Sequence, residues 1–351
     1  RPAMSFRATC PREDSSLDDP PETTSPTYPA GMFEPSFVTV HNGAIDLRVA
    51  VTGSGPLILC IHGWPELWYS WRHQMEHFAA RGFTVAAMDV RGYGASSNPP
   101  EIEAYRLTEL CADAAAVIDE LGGGEAIVFG HDWGAPIAWN TARLHPDKVR
   151  AVAGLSVPYT PVGPVSPLEL WRERYEGKFF YQLYIERPGV VEAEVGADTA
   201  SALRRIYYGA SGDADRSLFV EKGPDAGLLD GTVDPDPFPE WMSPADLAVY
   251  VEAFEASGWV GPFNRYRAQG IDADELGSLP NGALQQPAAF VAGELDGVRH
   301  FVPGLDLFDF APTFCTDFRG STIIPGAGHW VQQEAPDATN AALAAFVDSL
   351  S

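Results

Sequence analysis

The feature that most constrains this chain is an apolar strand pattern that ends in a glycine-flanked aspartate. Residues 127–129 are apolar, residues 130–134 read Gly-His-Asp-Trp-Gly, and a helical pattern follows. A tight turn from strand into helix strains its central residue, and glycine on either side lets the neighbouring backbones approach each other. Such a nucleophile elbow holds the central side chain clear of the sheet, with the free N–H groups of the helix behind it. The pattern therefore predicts a strand-turn-helix unit that presents Asp132 as a reactive group.

An aspartate in this position selects a particular chemistry. A serine that attacks saturated carbon leaves an ether, which water does not cleave, whereas a carboxylate leaves an ester, which water can hydrolyse. Asp132 thus indicates displacement at an sp3 carbon through an alkyl ester. An isolated aspartate before a helix is more typical of a helix cap, so the assignment depends on what else the chain supplies.

The rest of the chain alternates strand and helix patterns in the manner of an open, mostly parallel α/β sheet with helices on both faces. A hairpin signal at Asn42-Gly43 opens the series. The predicted strands cover residues 37–41, 45–51, 57–61, 83–88, 127–131, 149–155, 288–292 and 322–324. The predicted helices cover residues 68–80, 107–121, the stretch from the elbow to about 144, 243–257, and the stretch after Pro336.

The alternation stops at Val157-Pro158, and from there to about Pro280 the pattern is helical, aromatic and interrupted by Pro and Gly. We interpret this region as an all-helical cap inserted over the carboxyl edge of the sheet. Residues 1–34 are rich in Pro, Ser, Thr and acids, a composition that predicts a flexible tail. The predicted organisation is a tail at 1–34, a first part of the core at 35–158, a cap at 159–280 and a second part of the core at 281–351.

Composition excludes several classes of function. The 351 residues suffice for a large core, and a formal charge of −25 argues against nucleic acid and anionic membranes as partners. The four cysteines are scattered without metal-binding or redox spacing, and neither a membrane-spanning run nor a secretory signal is visible. These features favour a reduced, cytoplasmic protein without a metal or a cofactor.

Two further residues follow strand patterns in the second half of the chain. Open α/β sheets place their sites beyond the carboxyl ends of the strands. Asp296 comes just after the strand at 288–292, and His329 comes after the strand at 322–324. Each alone could be an ordinary turn or loop residue. Nucleophile, acid and histidine in this chain order are typical of α/β-hydrolases, so the three together favour a catalytic set.

Longer motifs surround these residues: HGWP at 62–65, GHDWGA at 130–135 and GHW at 328–330. Two cap segments add FYQLY at 180–184, followed by RPG at 187–189, and GPFNRYR at 261–267. With these motifs, the chain from about Phe37 to Leu350 resembles the epoxide hydrolases of the α/β-hydrolase superfamily. The cap segments resemble those that carry the two lid tyrosines of soluble epoxide hydrolases. The resemblance implies Tyr181 and Tyr266 as that pair, in preference to the nearby Tyr184.

The resemblance implies a two-step reaction that turns an apolar epoxide and water into a vicinal diol. Asp132 would attack the epoxide carbon while Tyr181 and Tyr266, neutral at pH 7, donate to the ring oxygen. Water activated by His329 would then hydrolyse the ester, with Asp296 holding the imidazole in the correct tautomer. We expect a role in detoxification, and leave open whether the chain forms a homodimer.

The same resemblance assigns supporting roles around the nucleophile. The backbone N–H groups of Trp64 and Trp133 are expected to form an oxyanion hole. The loop that carries Trp64 would be shaped by its neighbours His62, Gly63 and Pro65, with a cis bond before the proline. The residues expected to line an apolar substrate pocket are Trp64, Trp133, Phe180 and Leu183.

Two other functions remain as alternatives. A haloalkane dehalogenase could use the same Asp132, His329 and Asp296, but a departing halide needs no proton and would leave the lid tyrosines without a task. A ligand-binding protein could keep the fold and lack turnover, which the full set of catalytic residues argues against. A serine esterase is excluded by Asp132 itself.

Overall fold

The computed structural model describes residues 34–214, 218, 221–279, 282–302 and 304–351, so the predicted tail, except for Glu34, lies outside the described residues. Within these ranges, eight strands form one sheet. The strands are β1 Ser36–Asn42, β2 Ile45–Gly53, β3 Leu57–Ile61, β4 Thr84–Met88, β5 Ala126–His131, β6 Val149–Leu155, β7 Leu284–Gly293 and β8 Cys315–Ile324. Their order across the sheet is β1-β2-β4-β3-β5-β6-β7-β8. The pairs β1–β2 and β2–β4 are antiparallel and the others are parallel, which confirms the predicted mostly parallel sheet.

The central strands bring the predicted site residues to one edge. Every residue of β3 and β5 is buried, as expected for parallel strands that are covered on both faces. Ile61 at the end of β3 is in register with Gly130 of β5, and Leu155 at the end of β6 is in register with Val291 of β7. The loops that leave these strands therefore meet at the carboxyl edge of the sheet.

Helices pack on this sheet in two groups, on both of its faces. The core helices are α1 Arg72–Ala80, α2 Leu107–Gly122, α3 Gly134–Leu144, α11 Val331–Glu334 and α12 Pro336–Asp348. In one group α1 contacts α11 and α12, and in the other α2 contacts α3. The predicted helix at 68–80 begins with a 3-10 turn, Trp68–Trp71, instead of an α-helical one. All four residues of that turn are buried, and the Trp68 N–H donates to the Asp89 carboxylate, so tertiary packing sets its geometry.

Between β6 and β7, the part of the chain that the structure describes forms seven helices and no strand. These are α4 Pro167–Arg174, α5 Tyr181–Ile185, α6 Val190–Gly196, α7 Thr199–Ala210, α8 Pro244–Ser257, α9 Val260–Arg267 and α10 Gln269–Leu276. The predicted start of α8 is confirmed, since Ser243 accepts from the Asp246 N–H and Pro244 is the first helical residue. No helix among the described residues is both long enough and apolar enough to cross a membrane.

The last two strands are longer than predicted. β7 begins at Leu284 and runs through Pro287, where its register with β8 shifts. β8 begins at Cys315, seven residues before the predicted start, and its first nine residues are intermediate or exposed. A partly exposed strand at the end of a sheet lacks the apolar run that identifies a buried parallel strand, so the prediction found only its last three residues.

Candidate active site

The elbow residue is held in the strained conformation that its motif predicts. Asp132 has φ 49°, a left-handed value that is rare outside glycine. A Cβ added to Gly130 would overlap the carbonyl oxygen of Gly134, and one added to Gly134 would overlap that of Ile61. Both glycines are therefore required by the close approach of β3, β5 and α3, as the motif indicates.

One oxygen of the Asp132 carboxylate is held by the HGWP loop. Asp132 Oδ1 accepts the backbone N–H of Trp64 at 2.7 Å. A Cβ added to Gly63 would overlap that oxygen and lie 2.6 Å from the backbone nitrogen of Trp133, so the two predicted oxyanion-hole amides flank the same small space. The peptide bond between Trp64 and Pro65 is cis, as the resemblance implies.

The side chain of His62 fixes the conformation of this loop through two hydrogen bonds. Its Nε2 accepts the backbone N–H of Val90 at 3.0 Å, so the ring hydrogen lies on Nδ1, which donates to the Gly63 carbonyl at 2.8 Å. Burial lowers the pKa of His62, against the opposing effects of nearby acids. A neutral imidazole in this tautomer ties the loop to the end of β4.

The sequence-predicted histidine and acid lie together beside Asp132. His329 Nε2 is 3.5 Å from Asp132 Oδ2, and His329 Nδ1 is 3.1 Å from each carboxylate oxygen of Asp296. Asp296 also accepts the N–H of Val298 at 2.9 Å, which orients its carboxylate. Burial lowers the pKa of His329, but the charges and hydrogen bonds of Asp296 and Asp132 outweigh it and raise the pKa well above its ordinary value. The two carboxylates thus favour the protonated form of the ring.

The backbone of His329 is anchored by two side chains that the sequence reasoning did not single out. Its carbonyl accepts from His131 Nε2 at 2.7 Å and from Ser156 Oγ at 2.9 Å. His131 Nδ1 in turn donates to Glu66 Oε2 at 2.6 Å, and neither side chain of this pair has any solvent exposure. The buried pair of Glu66 and His131 therefore supports the backbone of His329.

Glu66 is the centre of this anchor. Its Oε2 also accepts from the Gly63 N–H at 3.3 Å, and its Oε1 accepts from the side-chain amides of Gln332 at 2.8 Å and Gln333 at 3.2 Å. Burial raises its pKa, but the charge of His131 and the hydrogen bond from it prevail, and the pKa is lowered to about 2. The one sequence signal was an acid placed directly between the HGWP motif and the apolar run that begins at Leu67.

A half-buried acid, Glu334, holds the loop that carries His329. Glu334 accepts three backbone N–H groups, from Gly212 and Gly328 at 2.8 Å and from Trp330 at 2.9 Å. Glu334 thereby joins the loop around His329 to the residues that follow α7.

The two sequence-predicted tyrosines contact each other at a cavity that Asp132 also lines. Tyr181 starts α5 and Tyr266 lies in α9, and their ring centroids are 5.8 Å apart in an edge-to-face arrangement. Tyr266 is also packed edge-on against Trp133 at 5.2 Å and Trp64 at 6.0 Å. Burial, and then nearby groups that include the Asp132 carboxylate, raise the pKa of both phenols, so both keep their hydrogens.

Both phenols share a small cavity with Asp132. The cavity measures about 20 Å³, and its lining includes Asp132, Tyr181, Tyr266, His329 and Trp64. This volume is room for about one water molecule. Tyr184 does not line this cavity; the guanidinium of Arg187 lies 4.7 Å from its ring centroid.

A larger chamber of about 570 Å³ opens on Asp132, Trp133 and Tyr181. Its other walls are mainly apolar, with the large side chains Trp171, Phe301, Leu307, Phe310 and Phe314, and the polar groups of Thr160, Gln182 and Gln269. Phe180 and Leu183 line neither cavity. Phe180 lies behind Tyr181, stacked on Tyr175 at 4.2 Å. Direct substrate contact by Phe180 or Leu183 stays a prediction.

The arrangement can combine a carboxylate nucleophile, two neutral O–H donors and a histidine–carboxylate pair in one enclosed space. Asp132 would supply the electron pair, the phenols would stabilise a departing oxygen, and His329 could accept a proton from water. Among the described residues, no group of three or more His, Cys, Asp or Glu side chains could hold a metal ion.

Known proteins resemble this chain in both sequence and fold. Residues 56–336 match the family model for the alpha/beta hydrolase fold. Epoxide hydrolase A of Mycobacterium tuberculosis is 38% identical over 324 residues, which cover 91% of this chain and 99% of that protein. An epoxide hydrolase from an endophytic Streptomyces superposes with a TM-score of 0.85 at 39% identity, covering 90% of this chain and 96% of that one. Epoxide hydrolase A from Mycobacterium thermoresistibile superposes with a TM-score of 0.83 at 38% identity, covering 90% and 99%. This chain therefore belongs to the epoxide hydrolases of the α/β-hydrolase fold.

Proposed function

We propose that this chain converts apolar epoxides into vicinal diols through a covalent ester on Asp132. The observation that carries the proposal is the small buried cavity that Asp132 shares with Tyr181, Tyr266 and His329. The epoxide hydrolases that resemble this chain over most of its length support the reaction class. In this proposal the helices between β6 and β7 form a cap, which supplies the tyrosines. The segments that follow β5, β7 and β8 supply Asp132, Asp296 and His329.

Ring opening would use the carboxylate and the phenols together. An oxygen of Asp132 attacks an epoxide carbon, the C–O bond of the ring breaks, and the electron pair moves onto the ring oxygen. That oxygen becomes an alkoxide unless it receives a proton. Tyr181 and Tyr266 can supply one, because their raised pKa values keep both phenols protonated until the ring opens. One phenol gives up its proton and the other donates a hydrogen bond.

Ester formation also prepares the second step. The negative charge of Asp132 helps to raise the pKa of His329 in the free protein. Esterification removes that charge, so the imidazolium becomes more acidic and its proton can restore the phenolate to a phenol. The neutral His329 is then available as a base, still oriented by Asp296. This order makes the histidine a base only after the intermediate exists.

Hydrolysis of the ester would take place in the same small cavity. A water molecule gives a proton to His329 while the water oxygen attacks the carbonyl carbon of the ester. The negative charge moves onto the carbonyl oxygen. The N–H of Trp64, which already donates to Asp132 Oδ1 at 2.7 Å, would hold that oxyanion together with the N–H of Trp133. Collapse releases the diol and regenerates the carboxylate. The net reaction adds one water molecule to one epoxide.

The larger chamber supports a substrate with a bulky apolar substituent. Its volume of about 570 Å³ and its aromatic lining suit an aryl or long alkyl group, and Asp132 is one of its lining residues. The haloalkane dehalogenase reaction fits the lid less well. A halide leaves without taking a proton, so the ability of the paired phenols to donate one would go unused in its release.

The test replaces the base and follows the intermediate. With His329→Gln, an aryl epoxide such as styrene oxide should alkylate Asp132, and intact-protein mass spectrometry should show one added substrate mass that persists. Asp132→Ala is the matched control and should show no added mass and no diol. Assays of diol from epoxides and of halide from haloalkanes, run on the unaltered protein, separate the two activities. Two results would contradict the proposal. One is that His329→Gln shows no added mass. The other is that the unaltered protein releases halide from haloalkanes but forms no diol from any epoxide.

A further inference from the structure

Two buried glutamines lie in the chamber wall beside Tyr181. Gln182 is 8% exposed and Gln269 is 5% exposed, and both line the larger chamber together with Asp132 and Tyr181. Buried amide groups in folded proteins are almost always hydrogen-bonded. The hydrogen-bond partners of these two amides therefore show which groups the glutamines hold in place.

The two amides form a chain with a fixed direction. A backbone carbonyl can only accept, so the bond of 2.9 Å to the Tyr266 carbonyl must come from the NH₂ group of Gln269. That NH₂ group also donates to Gln182 Oε1 at 3.1 Å, which leaves the NH₂ group of Gln182 to donate to Tyr181 Oη at 3.0 Å. Turning either amide around would place oxygen against oxygen or N–H against N–H. The backbone of one tyrosine thus sets the direction of the bond to the hydroxyl of the other.

This direction matters for the chemistry of Tyr181. A hydroxyl that accepts a hydrogen bond from Gln182 can still donate its own hydrogen, and Tyr181 and Asp132 both line the small cavity. The same N–H would stabilise negative charge on the phenolic oxygen after its proton has left. Burial raises the pKa of both phenols, while a hydrogen bond from Gln182 acts to lower that of Tyr181 and one from the Trp133 side chain acts to lower that of Tyr266.

We propose that Gln182 and Gln269 are positioning residues that make Tyr181 the phenol that transfers its proton to the epoxide oxygen. The inference rests on the proposed function. As the bond from Asp132 to carbon forms and the ring C–O bond breaks, the electron pair goes to the ring oxygen. That oxygen takes the proton of Tyr181, and the phenolate left behind is held by the NH₂ group of Gln182. Tyr266 donates a hydrogen bond and keeps its proton.

The experiment measures ring opening alone. In the His329→Gln parent the ester accumulates, so stopped-flow fluorescence with styrene oxide gives the rate constant of its formation. Adding Gln182→Leu should slow this step by roughly 10- to 100-fold, the effect of losing one hydrogen bond to a group that becomes charged. Gln269→Leu should slow it less, because Gln182 stays in place but loses its orientation. Gln286→Leu is the matched control, since Gln286 is also buried but donates to the Ala142 carbonyl, away from both cavities.

A double-mutant cycle separates positioning from a general loss of structure. Gln182→Leu should have no further effect in a Tyr181→Phe background and its full effect in a Tyr266→Phe background. Equal slowing in both backgrounds would overturn the inference, and so would ester formation in Gln182→Leu as fast as in the parent. A parent that forms no ester at all would contradict the proposed function itself, and the inference with it.

Discussion

Replacing Glu66 by glutamine removes the charge from the buried anchor beneath the active site and leaves its shape almost unchanged. Both carboxylate oxygens accept hydrogen bonds, Oε2 from His131 and Gly63, and Oε1 from the amides of Gln332 and Gln333. An amide has only one accepting oxygen, so in either orientation its NH₂ group would face other donors. The substitution therefore leaves buried donors without partners.

The size of the effect follows from the titration of this group. The pKa of Glu66 falls from 4.5 to about 2, which corresponds to about 3 kcal/mol of stabilisation of the folded state at neutral pH. This value lies in the range for breaking a buried ion pair by removing one partner. Because the pKa is depressed on folding, the contribution is present above pH 4.5 and is lost as the pH falls towards 2.

Urea denaturation followed by tryptophan fluorescence would measure the free energy of unfolding across this range. At pH 7, Glu66→Gln should unfold with about 3 kcal/mol less free energy than the unaltered protein, and the difference should shrink below pH 4.5. Glu76→Gln, at an exposed position of α1, is the control and should lie within about 0.5 kcal/mol of the unaltered protein. Equal stability of the Glu66 variant at pH 7, or a difference that does not change with pH, would refute the reasoning.

Three further predictions concern the site itself. Tyr181→Phe and Tyr266→Phe should each slow ester formation in stopped-flow measurements by about 100-fold, the effect of one lost oxyanion donor. The double variant should form almost no ester. Full activity of the double variant would remove the case against a dehalogenase. Gly63→Ala should lower kcat/KM for diol formation by at least about 10-fold, because its Cβ overlaps Asp132 Oδ1 and displaces an oxyanion donor, and normal turnover would contradict that packing. His329 has a raised pKa in the folded state, so its stabilising effect is complete below about pH 6.5 and is lost as the pH rises through the folded-state pKa. The Tm advantage over His329→Gln should therefore shrink as calorimetry moves from pH 6.5 to higher pH, and a growing advantage would contradict the pairing.

The sequence predicts the parts of the site that depend on strand ends. Asp132, Asp296 and His329 each follow a strand of the sheet, and the carboxyl ends of neighbouring parallel strands lie at one edge. The anchor between Glu66 and His131 joins residues 65 positions apart, and the bond between Gln182 and Gln269 spans 87 positions. Neither local periodicity nor a short motif encodes such a pairing, so these contacts are visible only in the folded chain.

The short helix α5 shows why the pocket walls are harder to predict than the positions of Asp132, Asp296 and His329. Tyr181 and Gln182 face the larger chamber, whereas Phe180 and Leu183, one position to either side, do not line it. A five-residue helix turns its side chains in different directions, and an aromatic residue in the second layer has the same composition signal as one in the wall. Residue type was sufficient to predict an apolar pocket, but it was not sufficient to assign its individual wall residues.

The origin of the oxygen added to the diol tests the ester on Asp132 most directly. In a single turnover in H₂¹⁸O, with enzyme in excess over styrene oxide, the first diol should carry no label, because its new oxygen comes from the Asp132 carboxylate. Mass spectrometry of the peptide that contains Asp132 should then show one ¹⁸O atom. A labelled first diol together with an unlabelled Asp132 would mean that water attacks the epoxide directly, and would contradict the mechanism.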